Sequence, residues 1–221
     1  MDGTTYNLLQ LFADGGIWMY PLVLCSLLAL GVIIAKGYTL WAAHRGSRKL
    51  IEQVTQLGEA GRIDEAIELA VSTPGPVAAI LLAGLRRISD SKAREDIRRA
   101  IKTTGTIELG FLERGLVVLA TVSNVAPLMG FLGTVAGMIS AFGAIAEAGQ
   151  VEASLVAGGI KIALITTAAG LVIAIPVNLA YNFFVTRIDK LIQDMEEGTA
   201  MVLELVWNIE RSRNKRLATA E

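Results

Sequence analysis

Thr134, Thr166 and Thr167 carry hydroxyls inside stretches of chain that hold no charge: 115–146 reads GLVVLATVSNVAPLMGFLGTVAGMISAFGAIA and 162–186 reads IALITTAAGLVIAIPVNLAYNFFVT. Ser123, Asn124 and Asn178 add further polar groups to the same two stretches. Hydroxyls and amides set among Leu, Val and Ile both donate and accept hydrogen bonds, which suits a relay or a water-lined seam. Threonine does not titrate, however, and proton relays inside membranes rest on ionisable groups. A proton path through these residues therefore needs a carboxylate from another chain. A second reading stays open: the threonines bond back to carbonyls of their own helices and serve packing alone.

The elements that position these groups follow from length and polarity. Residues are 53% hydrophobic with a mean hydropathy of +0.53, too apolar for an ordinary soluble domain. The uncharged runs 15–35, 115–146 and 162–186 hold 21, 32 and 25 residues, against roughly 20 for a helix that crosses a bilayer. Backbone groups in hydrocarbon must be satisfied within the segment, and uniformly apolar runs lack the alternation of barrel strands. The fold class is all-α: a membrane protein with three transmembrane helices and long cytoplasmic helical extensions.

Spans two and three form a hairpin that turns near Gln150 and Val151. Thr134 lies as far before Gln150 as Thr167 lies after Val151, so both belong at one depth. The same counting pairs Pro127 with the region of Pro176, and Ser123 or Asn124 with Asn178. Small residues form a stripe on each helix, Gly130, Gly133, Gly137, Ala141 and Ala144 against Gly159, Ala163, Thr167, Gly170 and Ala174. Such stripes allow close backbone approach.

Charge placement sets the topology. Residues 1–35 and 147–160 hold no Lys or Arg, whereas 13 lie in 36–114 and six in 187–221. Basic residues stay in the cytoplasm. The expected order is a periplasmic segment 1–16, span one at 17–43, a cytoplasmic helical domain at 44–114, span two with a cytoplasmic extension at 115–146, a periplasmic loop 147–154, span three at 155–186, and a cytoplasmic C-terminal helix at 187–221. The start lacks the basic region of a signal peptide. In the cytoplasmic part, Leu50, Val54 and Leu57 share a face, Ile63, Ile67, Ala70 and Val71 restart the helical period, and Pro74-Gly75-Pro76 breaks it.

Nothing here assembles a catalytic or metal centre. His44 is the single histidine and Cys25 the single cysteine. The glycines are not followed by a GKS/T phosphate-binding element, and basic residues alternate with acids instead of forming a nucleic-acid stripe. The chain is read as no enzyme, without a cofactor.

APLMGFLGTVAGM in span two and GGIKIALITTAAGLVIAIP in span three resemble the signature spans of the proton-channel family that contains MotA, TolQ and ExbB. GRIDEAIELAVSTPGPVAAILLAGL resembles that family's cytoplasmic region, and GGIWMYPLVLCSLLALGVI the first span of its ExbB-like branch. Three spans fit ExbB and TolQ better than the four-span MotA type. The resemblance implies a homopentameric ring in the bacterial inner membrane, around a dimer of single-span ExbD/TolR-type partners whose transmembrane Asp carries H+. It implies a TonB- or TolA-type load protein and leaves room for phospholipids between subunits. Thr134 and Thr167 match the family's pore threonines, with Thr166 adjacent but facing a neighbouring helix; Gly130, Gly133, Gly137, Gly170, Pro127 and Pro176 pack the hairpin. The chain departs from the family at Ile162, where ExbB and TolQ proteins often carry Glu, and Lys161 precedes it. Four roles stand for Lys161: snorkelling to the outer surface, a contact with an acid on the partner, a salt bridge to Glu147 or Glu152, and a gate that repels cations. The resemblance implies a motor that energises TonB-dependent outer-membrane transport, with a TolQ-like envelope-maintenance motor or a gliding or flagellar-type stator as the alternative within the family, and a scaffold that conducts nothing as the competing function. A secondary transporter is disfavoured because no inverted repeat is present.

Overall fold

The structure is a computed structural model and describes residues 8–44, 46–89, 94–150 and 152–218. All regular elements among them are helical: α1 Leu8–Asp14, a 3-10 turn Gly16–Trp18, α2 Met19–His44, α3 Ser47–Glu59, α4 Ile63–Ser72, α5 Pro76–Ser89, α6 Arg94–Glu113, α7 Leu116–Ala148 and α8 Ala153–Ala218. Three helical stretches, Gly16–Trp41, Arg94–Ala148 and Val156–Asn208, are long and apolar enough to cross a membrane. Val151, at the expected turn, and the His44 side chain lie outside the described residues.

The chain divides into two compact units, Met1–Ala35 with Gly115–Phe183, and Lys36–Arg114 with Phe184–Glu221. In the first, α7 has 33 residues, about 50 Å of helix, well beyond the roughly 30 Å of hydrocarbon. Its ends are set by glycines in the left-handed region. Gly115 (φ 91°) precedes it, and Gly149 (φ 68°) closes it with an N–H to the Ile145 carbonyl at 3.0 Å. Pro127 and Pro176 lie inside helices that run on through them.

α7 and α8 run antiparallel on their small residues. A Cβ on Gly137 would stand 2.6 Å from the Gly159 carbonyl oxygen, and one on Gly170 2.6 Å from that of Ala126. Gly130 lies against the backbone of Thr166 and Thr167. Gly133 faces the Thr166 side chain, so Thr166 takes the buried place in the α8 stripe and Thr167 stands beside it. Leu128, Phe131, Ile139 and Phe142 on α7, with Leu164, Val172 and Leu179 on α8, point outward, as side chains that meet lipid or neighbouring helices must.

The second unit has its own core: Leu50, Ile51 and Val54 of α3, Ala66 and Ala70 of α4, Val77, Ile80, Leu81 and Leu85 of α5, Ile97 and Ile101 of α6, and Ile188, Leu191, Met195, Val202, Leu205 and Val206 of α8. The α4 face is rotated from the expected one: Ala66 and Ala70 are inside and Val71 is exposed, because small residues let α4 approach its neighbours closely. Gly58 and Gly84 do the same elsewhere, with Leu205 and Val202 filling the space a side chain would need.

Candidate functional site

The site grows from the way α7 and α8 meet. Glycines at 130 and 170 remove side chains about one turn from the threonines, so the backbones close up and the hydroxyls reach across. Thr134 Oγ1 and Thr167 Oγ1 hydrogen-bond directly to each other. Thr134 Oγ1 also lies 3.3 Å from the Gly130 carbonyl oxygen of its own helix and 3.2 Å from that of Ala163 on α8. Thr167 Oγ1 lies 3.2 Å from the Gly130 carbonyl oxygen on α7.

Each hydroxyl has one proton to donate. Either Thr134 donates to Thr167 and Thr167 to Gly130, or Thr167 donates to Thr134 and Thr134 to Gly130 or Ala163. The cluster can therefore reverse its donor order without moving a heavy atom. Both threonines keep partial access to their surroundings, whereas Thr166 is fully buried. Thr166 Oγ1 lies 2.9 and 3.1 Å from the Ile162 and Ala163 carbonyl oxygens of its own helix, donates its one proton within that turn, and is no member of the pair.

The other polar residues make local bonds. Ser123 Oγ and Asn124 Nδ2 each donate to the Ala120 carbonyl, at 2.9 and 3.0 Å. Asn182 Nδ2 donates to Asn178 Oδ1 at 2.9 Å along one face of α8. The structure thus joins the two threonines across the helices but keeps Ser123 and Asn124 in a group of their own.

Lys161 Nζ pairs with Asp14 Oδ2 at 2.6 Å. The acid is the last residue of α1 and not Glu147 or Glu152 of the nearby connection. A carboxylate at a helix C-terminus opposes the helix dipole, and the lysine offsets that. The pair is half open to its surroundings, which limits its strength.

Sequence reasoning missed Lys36. It is only 8% exposed, and its Nζ donates to the Leu112 and Phe111 carbonyls at 2.7 and 3.3 Å. It caps the C-terminus of α6 just before the break at Gly115, where orphan carbonyls need donors. The available signal was its place as the first charge after an uncharged run, read above only for topology.

Residues 72–197, which carry both threonines and most of α5 to α8, match the model of the MotA/TolQ/ExbB proton channel family. The chain belongs to that family. The ExbB-like 1 protein of Synechocystis sp. is 33% identical over 214 residues, which cover 92% of this chain and 80% of the relative. The biopolymer transport protein ExbB of Pseudomonas putida is 32% identical over 86% of this chain, which spans 59% of that longer relative. The Tol-Pal system protein TolQ of Pseudomonas aeruginosa is 32% identical over 75% of this chain and 80% of the relative. The protein is thus a membrane-embedded subunit of the ExbB/TolQ proton-channel type, and Lys161 lies inside the family match while Asp14 and Lys36 lie outside it.

Proposed function

We propose that the protein is a stator subunit of an inner-membrane motor driven by proton-motive force. Five copies form a ring around two single-span ExbD/TolR-type proteins whose transmembrane Asp accepts and releases H+. Thr134 and Thr167 line the route to that carboxylate. The N-terminus is periplasmic and the C-terminus cytoplasmic, and phospholipids fill the grooves between subunits. The work is ion conduction and mechanical coupling, with no cofactor and no catalysed reaction.

The observation that carries this reading is the hydroxyl pair shared by α7 and α8, whose donor order is reversible. Hydroxyls can hand on a proton only if an ionisable group starts and ends the transfer, which is why the reading requires a partner acid. The load we favour is a TonB-type protein that energises outer-membrane transport. The TolQ relative, as similar in identity as the ExbB one, supports a second load, envelope maintenance through a TolA-type protein.

The test is co-expression with a single-span partner bearing a transmembrane Asp, followed by co-purification and proton-flux measurement in liposomes. Flux that requires both the Asp and the two threonines supports the reading. A stable complex that conducts nothing with the Asp intact would instead favour a scaffold.

A further inference from the structure

An open cavity of about 410 Å³, with Arg86, Arg87, Asp96, Arg99 and Thr103 exposed on its walls, lies between α5 and α6. Its size falls within the range of small-molecule sites, about 300–1,000 Å³. Arg86 and Arg87 from the last turn of α5 face Arg99 of α6 across it, with Thr103 and Thr104 one turn further along α6. Ala83 and Ala100 complete the lining, and their short side chains leave the space open.

Three features of this lining point to a ligand. First, the three guanidinium groups make no ion pair with any described residue, although Asp96 lies on the same rim. The dipole of α5 accounts for cations in its last turn, Arg86 and Arg87. It does not account for Arg99, which comes from the other helix.

Second, the hydroxyls of Thr103 and Thr104 make no hydrogen bond among the described residues, whereas those of the other described threonines do. Helical threonines ordinarily bond back to their own turn, as the adjacent Thr106 does to the Lys102 carbonyl at 3.0 Å. Third, Asp96, Arg99, Ala100, Thr103 and Thr104 recur at the spacing of one helix face. Planar guanidinium forks beside free hydroxyls match the oxygens of a phosphate group.

We propose that this cavity binds a small phosphorylated anion. The arginines hold the phosphate oxygens, the threonine hydroxyls donate to them, and Asp96 accepts from a hydroxyl or amine on the rest of the ligand. The phosphate belongs to a free solute or to a phospholipid headgroup.

The experiment is calorimetric titration of inorganic pyrophosphate into the full chain in nanodiscs of neutral phosphatidylcholine. The expected result is saturable binding that weakens about tenfold or more in Arg99→Gln and in Arg86→Gln, by loss of a charge-assisted bond. Ala100→Leu keeps every charge and fills the space, and it should weaken binding as much. Circular dichroism and the unfolding temperature verify that each variant is folded. Repeating the titration in discs with phosphatidylglycerol separates the two sources: unchanged pyrophosphate affinity assigns the site to a free solute, and competition assigns it to a headgroup. Absence of saturable binding, or binding that all three folded variants retain, overturns the proposal.

Discussion

Thr134 and Thr167, 33 residues apart in sequence, share a hydrogen bond across α7 and α8 while Thr166, one residue from Thr167, is sealed against Gly133. Neighbouring hydroxyls on one helix thus take different work. The buried one satisfies itself on its own turn, and the accessible one reaches the other helix.

That difference separates two kinds of loss. Thr134→Val and Thr167→Val should each lower proton flux about five- to tenfold, the effect of removing a bond worth roughly 1–1.5 kcal/mol from the path. Thr166→Val keeps its shape inside the contact and should mainly shift the unfolding temperature. Flux assays and thermal unfolding on the same preparations check both.

The hairpin closes only because its contact positions lack side chains. Gly137→Ala places a Cβ 2.6 Å from the Gly159 carbonyl oxygen, an overpacking that costs about 1–3 kcal/mol. Gly143, on the same helix, has open space around it. Gly143→Ala should be neutral or stabilising by up to about 1 kcal/mol, since Ala is the better helix former. Detergent-solubilised unfolding curves should put the two substitutions on opposite sides of the wild type.

Lys36 supplies donors to two carbonyls at the end of α6. Lys36→Met keeps the aliphatic stem and removes the ammonium, and it should cost about 1–3 kcal/mol because the carbonyls lose their partner. Hydrogen exchange should rise at the C-terminal turn of α6 and stay unchanged in α3 and α4.

The Asp14–Lys161 pair is partly open, so either neutral variant should lose less than about 1 kcal/mol. It bridges α1 and α8. The charge swap Asp14→Lys with Lys161→Asp should recover what either single reversal loses, read by thermal unfolding of the same preparations. Lys161→Ala tests the gate directly: unchanged flux and ion selectivity would leave the lysine as a tether alone.

Much of this was legible in the sequence because the controlling variables are one-dimensional. Uncharged length gives the spans, and counting from Gln150 and Val151 gives the depth of Thr134 and Thr167. Rotation about a helix axis is harder to read. Thr166 and Thr167 compete for the same stripe, and only the closeness of Gly133 decides which is buried. Lys36 and Asp14 escaped for another reason: their partners, carbonyls at the end of α6 and a lysine 147 positions away, are set by tertiary packing that no local pattern encodes. The offset face of α4 has the same origin, since Ala66 is unremarkable until a neighbouring helix needs the space.

The most direct test of the central claim is proton flux through liposomes that hold the chain with its single-span, Asp-bearing partner, comparing wild type, Thr134→Val and Thr167→Val at equal complex content. A path through the hydroxyl pair predicts flux in the wild type, its loss when the partner's Asp is replaced by Asn, and a drop of about five- to tenfold in each threonine variant. Wild-type flux in both threonine variants, with the complex intact, would contradict it.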